Sequence, residues 1–95
     1  MKLFKWKNAD VRRENRKFEA EIPHFYCMEY YEKGKKMILY IDFRDPVLDF
    51  SMEYITHWEP PYEDIVLSPR DKKRIYRNVS EYLKRRFGEE HVDIR

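Results

Sequence analysis

One run constrains the fold of this chain more than any other: Ile55 to Asp71, I-T-H-W-E-P-P-Y-E-D-I-V-L-S-P-R-D. Pro60 and Pro61 have no backbone N–H, and Pro60 keeps Glu59 out of helical space. Trp58 to Pro61 is therefore predicted as a stiff, extended end to a strand. Ser68-Pro69-Arg70-Asp71 reads as a helix start. Ser68 suits the N-cap, Pro69 the first helical position, and Asp71 the positive end of the helix dipole in an approximate capping box. Trp58 has two readings: a core anchor for the crossover, or one element of an exposed aromatic patch with Pro61 and Tyr62. Interfaces favour such rings.

Downstream of Ser68, Ile75, Val79, Leu83 and Phe87 recur at four-residue spacing, flanked by Tyr76 and Tyr82. That is one apolar stripe on a helix over 69–87. Arg70, Lys73, Arg74, Arg77, Lys84 and Arg85 fall opposite it, and Gly88 suits the C-cap. Val92 and Ile94 alternate in a short final strand over 91–94.

Upstream, the pattern has period two. Phe18, Ala20 and Ile22 alternate with charged residues until Pro23. His24 to Glu32 reads as an aromatic-rich strand, and Glu32-Lys33-Gly34-Lys35 as a hairpin turn with Gly34 supplying positive φ. Met37, Leu39, Ile41 and Phe43 line one side of the returning strand. After a turn at Arg44-Asp45-Pro46, residues 47 to 54 give the cleanest alternation: Leu48, Phe50, Met52 and Tyr54 inward, Asp49, Ser51 and Glu53 outward in a row. Lys2 to Lys7 also alternates, and Asn8 to Arg16 reads as a charged loop. The fold class expected is α+β: an antiparallel meander of four to five strands, one long C-terminal helix on one face, and a short final strand. Ninety-five residues make a single domain over 1–95, strand-rich through 58, with the connection at 58–68.

The net charge of +2 hides a separation. Pro69 to Phe87 carries eight bases and two acids, a local +6. Asp42 to Asp64 carries seven acids (Asp42, Asp45, Asp49, Glu53, Glu59, Glu63, Asp64) against Arg44 alone. A basic helix beside an acidic strand and loop is the charge pattern any function must use.

Reaction chemistry is thin. With two glycines, Gly34 and Gly88, no phosphate-cradling loop exists, and no H-E-x-x-H or nucleophile elbow occurs. Cys27 is the lone cysteine, so no internal disulfide forms. On a continuous strand His24 and Cys27 would point to opposite faces, which argues against a shared metal. His57 lies near Glu53 and Glu59 as a carboxylate-paired histidine. Neither catalytic residues nor a cofactor or metal is expected. The N-terminus lacks the apolar run of a signal peptide, and no segment approaches a membrane span, so the expected location is the cytoplasm with no membrane partner. A nucleic-acid reading would use Arg70, Arg74, Arg77 and Arg85 on phosphates, but the acidic region opposes a polyanion. An uncovered sheet face suits self-association, giving a monomer or a weak homodimer.

Three segments together carry a resemblance. They are the hairpin Tyr30-Tyr31-Glu32-Lys33-Gly34-Lys35-Lys36-Met37-Ile38-Leu39, the segment Ile55-Thr56-His57-Trp58-Glu59-Pro60-Pro61-Tyr62, and the helix opened by Leu67-Ser68-Pro69 that contains Ile75-Tyr76-Arg77-Asn78-Val79. Over roughly residues 25 to 94 the chain resembles small immunity proteins of bacterial polymorphic toxin systems, which carry a W-x-P-P segment before a helix of the form I-x-x-N-[IV]. The resemblance implies a non-catalytic protein that binds and neutralises a cognate toxin domain. Immunity proteins against nucleases are often distinctly acidic. This chain is slightly basic, which leaves the toxin's chemistry open. The partner-facing residues expected are Asp42, Asp45, Asp49, Glu53, Trp58, Glu59, Pro61, Tyr62, Glu63 and Asp64. Trp58, Pro60, Pro61 and Asn78 have an architectural reading as well.

Overall fold

The computed structural model describes residues 18–95; the alternation at Lys2–Lys7 and the loop at Asn8–Arg16 lie outside them. Strands β1 (Glu19–His24), β2 (Cys27–Glu32) and β3 (Lys35–Leu39) form an antiparallel meander in sequence order. Strand β4 (Leu48–Phe50), a short 3-10 turn (Met52–Tyr54), helix α1 (Pro69–Phe87), a second 3-10 turn (Glu89–His91) and strand β5 (Val92–Ile94) follow. The class is α+β, with one long helix and a final strand, as the periodicities predict.

The hairpin forms where Gly34 demanded it. Lys33 sits at φ 52° and Gly34 at φ 79°, the two consecutive positive φ values that match a tight turn to the twist of its strands. Pro23 lies in an irregular stretch of β1, where the register against β2 shifts between Glu21 and His24. Bulges are where strands tolerate proline.

Two expectations change. His24 to Glu32 is not one strand, because the chain reverses at Phe25 and Tyr26 and puts His24 opposite Cys27 across the β1–β2 pair. Their side chains therefore meet, Sγ to Nε2 at 3.6 Å, rather than facing apart. The alternating run 47–54 is a strand only to Phe50. Ser51 then caps the 3-10 turn, its hydroxyl accepting from the Glu53 amide at 3.3 Å. Strand β4 leaves the meander and pairs in parallel with β5, Leu48 opposite Val92 and Phe50 opposite Ile94. The meander thus has three strands among the described residues.

Helix α1 begins and ends as its local signals dictate. The Ser68 hydroxyl accepts from the Asp71 amide at 3.1 Å, and the Ser68 amide donates to the Asp71 carboxylate at 3.2 Å. Gly88, at φ 96°, returns its amide to the Lys84 carbonyl at 2.8 Å. Ser68→Ala is expected to cost about 1 kcal/mol through loss of that cap, read as a lower urea midpoint with an unchanged slope.

The core is one cluster. Ala20, Met28, Tyr30, Met37 and Leu39 from the meander meet Ile75, Val79 and Leu83 from α1, with Leu48, Phe50, Ile55 and Trp58 closing it. Tyr30 lies between two rings, Phe18 at 5.3 Å and Trp58 at 6.3 Å between centroids. Phe43, on the far side of β3's turn, packs on Phe87 at 5.8 Å. The other face of the meander carries polar contacts, with Tyr31 donating to Glu29 at 2.6 Å and Lys36 paired with Glu29 at 3.8 Å. Among the described residues no helix is long and apolar enough to cross a membrane.

Candidate functional site

The connection between β4 and α1 carries the clearest surface feature. Its feet are buried: Trp58 is 2% exposed and Leu67 8%. Between them the chain is held by its own backbone. The Glu59 amide donates to the Lys36 carbonyl at 2.7 Å, Tyr62 to Glu59 at 3.0 Å, and Ile65 to Tyr62 at 3.1 Å. The Pro60–Pro61 peptide is cis. Trp58 to Pro61 is not one extended segment, because the Tyr62 amide captures the Glu59 carbonyl and starts a turn there. The Lys35 ammonium lies 5.4 Å from the Trp58 ring and 5.9 Å from the Tyr62 ring, a cation–π contact that ties the hairpin to the loop.

What this scaffold presents is apolar and acidic at once. Val66 is 86% exposed, Ile65 45% and Tyr62 38%. Pro61, Glu63 and Asp64 are exposed beside them, and Glu63 and Asp64 have no ion-pair partner among the described residues. Two branched aliphatics thus stand side by side in water on a loop pinned at both ends.

The remaining predicted contact residues divide. Trp58 belongs to the core, so its indole is not an exposed anchor; it acts as the foot of the loop. Glu59 is half-buried and lies 3.9 Å from His57. Asp42 is chelated by Arg44, with the guanidinium at 3.1 Å and the Arg44 amide at 2.9 Å. These bonds hold its carboxyl below the usual carboxylate range. Arg44 also lies over Tyr26 at 4.5 Å. Asp49 is not in an outward row with Ser51 and Glu53: it accepts from Arg95 and from the Tyr54 hydroxyl, while Ser51 is buried. Asp45 and Glu53 remain exposed. The structure thus gathers Pro61, Tyr62, Glu63 and Asp64 on one loop and leaves the other acids elsewhere. Sequence reasoning missed Ile65 and Val66. Their signal was an apolar triplet, Ile65-Val66-Leu67, where one buried anchor suffices to seat the helix.

The basic side of α1 also differs from its sequence reading. Arg74 is no free cation. Its Nε and Nη2 donate to Glu32 at 2.8 and 2.7 Å, and its Nη1 donates to Asp71 at 2.8 Å. Those partners raise the affinity of Arg74 for its proton and hold the Asp71 carboxyl low. Glu32 itself is 4% exposed and also accepts from the Tyr30 hydroxyl at 3.0 Å. Asn78 donates to that same hydroxyl at 2.9 Å, so the asparagine of the I-x-x-N-V motif fastens α1 to β2. Burial pushes the Tyr30 hydroxyl's pKa up. Arg70, Lys73 and Arg77 have no acid partner among the described residues, and with Arg74 they line an open groove of about 490 Å³. A smaller hollow of about 330 Å³, walled by Met52, Leu67, Pro69, Lys72 and Lys73, adjoins it through Lys73.

No three His, Cys, Asp or Glu side chains among the described residues cluster to hold a metal ion. The Cys27 thiol touches His24, but burial, with Glu29 nearby, raises its pKa and disfavours the thiolate. The loop and the helix thus expose two chemically different surfaces, one apolar and acidic, the other cationic. No protein family, curated protein or solved structure matches the chain.

Proposed function

We propose that this chain is an immunity protein, a non-catalytic cytoplasmic partner that binds and neutralises a cognate bacterial toxin domain through the loop from Pro61 to Val66. The observation that carries the reading is the exposed pair Ile65 and Val66 beside Glu63 and Asp64, which have no ion-pair partner among the described residues, on a loop whose ends are buried. A preformed loop spends little ordering entropy on contact, so more of its burial becomes affinity. The partner surface it fits is an apolar pocket with a cationic rim. Charge complementarity would speed capture, which a defence protein needs when its target acts on the cell that makes it.

Co-expression with any toxin domain that the adjacent reading frame encodes tests this. The wild-type chain is expected to protect cells and to copurify with that domain. Ile65→Asp with Val66→Asp should weaken binding by about 2–4 kcal/mol, the range of central interface anchors, while the circular dichroism spectrum stays unchanged. Persisting toxicity with the wild-type chain, and no complex, ends the reading. A second reading, nucleic-acid contact, is favoured by Arg70, Lys73 and Arg77, which have no acid partner among the described residues. Its signature is duplex binding that falls steeply with salt.

A further inference from the structure

The exposed loop and the groove on α1 have matching chemistry. Along the loop run an aromatic ring, two carboxylates and two aliphatics: Tyr62, Glu63, Asp64, Ile65 and Val66. Along the helix run three cations without counterions among the described residues, Arg70, Lys73 and Arg77. Their spacing of three and four residues sets them in one stripe about 10 Å long. At one end of that stripe lies the hollow of Met52, Leu67 and Pro69. A cationic ledge joined to an apolar hollow fits an acidic segment with an aliphatic anchor. It fits a phosphate backbone less well, since that would leave the hollow unused and would meet the carboxylates of the loop.

We propose that the groove receives the Tyr62–Val66 loop of a second copy of this chain, in a two-fold pair where each copy gives its loop and takes its partner's. The loop runs straight into α1 through Leu67 and Ser68, so donor and acceptor surfaces are neighbours. A two-fold contact requires such a self-complementary patch. Glu63 and Asp64 face Arg70, Lys73 and Arg77 across the pair, and Ile65 or Val66 enters the hollow. Five loop residues on each side make a small contact, so the pair is weak and transient. It covers the apolar loop when no other partner is present, and any partner that uses the loop must displace the second copy. The pairing does not depend on the toxin reading.

Charge reversal tests it. All the substituted positions are exposed, and a glutamate at position 70, in the first turn of α1, suits the helix dipole, so the fold is retained and circular dichroism checks that. By sedimentation equilibrium at low salt, the wild-type chain is expected to self-associate toward millimolar concentration, and added salt should weaken the pair. A loop variant, E63K/D64K, and a helix variant, R70E/R77E, should each lose at least about tenfold in dimer affinity. An equimolar mixture of the two should pair again, because both reciprocal contacts are then complementary. A wild-type chain that stays monomeric at low salt overturns the proposal, as do single variants that pair like wild type or a mixture that does not pair. Duplex binding removed by R70E/R77E in a chain that never self-associates also overturns it, and gives the groove to nucleic acid. R70E/R77E should leave toxin protection intact, so failure here and failure of the toxin reading are separable.

Discussion

Arg74→Leu is expected to destabilise the chain by about 3 kcal/mol, at the low end of what is seen when one partner of a buried ion pair is removed. Glu32 is 4% exposed, and two of its bonds come from Arg74 at 2.7 and 2.8 Å. Without the guanidinium the carboxylate keeps only the Tyr30 hydroxyl, too little for a charge held away from water. Arg74 is itself partly exposed, so water would screen some of the loss, which sets the estimate at the lower end. The double variant E32L/R74L should lose less than R74L alone, because no stranded charge remains. Urea unfolding of the wild type, both singles and the double gives the coupling directly. A cost for R74L below about 1 kcal/mol would mean that water reaches Glu32 freely, as at a surface pair.

Trp58→Ala should be costlier still, about 3–5 kcal/mol, because a fully buried aromatic leaves a cavity that its neighbours only partly fill. For a domain of this size that amounts to a melting temperature lower by roughly 20 °C. Total stabilities of such domains are about 5–15 kcal/mol, so the variant would sit near the threshold of folding. The loss is also local. Trp58 is one foot of the exposed loop and the ring beneath the Lys35 ammonium. Amides from Glu59 to Ile65 should lose hydrogen-exchange protection before those of β2. Trp58→Phe should keep much of the stacking on Tyr30 and recover part of both losses. Loop amides that stay protected in Trp58→Ala would place the anchor elsewhere.

Much of this was legible in the sequence because the signals were local. Ser68, Pro69 and Asp71 mark the helix start through contacts within four residues, and Gly34 marks a turn through its own backbone freedom. What failed were pairings made at long range. Met52 and Tyr54 continue the alternation of β4, so nothing nearby announces that Ser51 turns the chain into a 3-10 segment. Nothing in residues 47–54 names Val92 to Ile94 as the partner strand. Arg74 looks like any surface cation until the fold brings Glu32, 42 positions earlier, within 2.7 Å. The candidate site was half visible. Tyr62, Glu63 and Asp64 stood out by type, whereas Ile65 and Val66 looked like core because aliphatics usually are.

The pairing of β4 with β5 has a consequence for how the protein is made. Leu48 and its partner Val92 are 44 residues apart. At usual ribosomal speeds of about 5–20 residues per second, Leu48 waits roughly 2 to 9 seconds for that partner to be synthesised. The three-stranded hairpin assembly can form meanwhile from neighbouring sequence, but the backbone edge of β4 stays unpaired on the growing polypeptide. Nascent molecules therefore pass through a sticky stage near the exit tunnel, and slowing translation after the helix codons should lengthen it and lower the soluble yield.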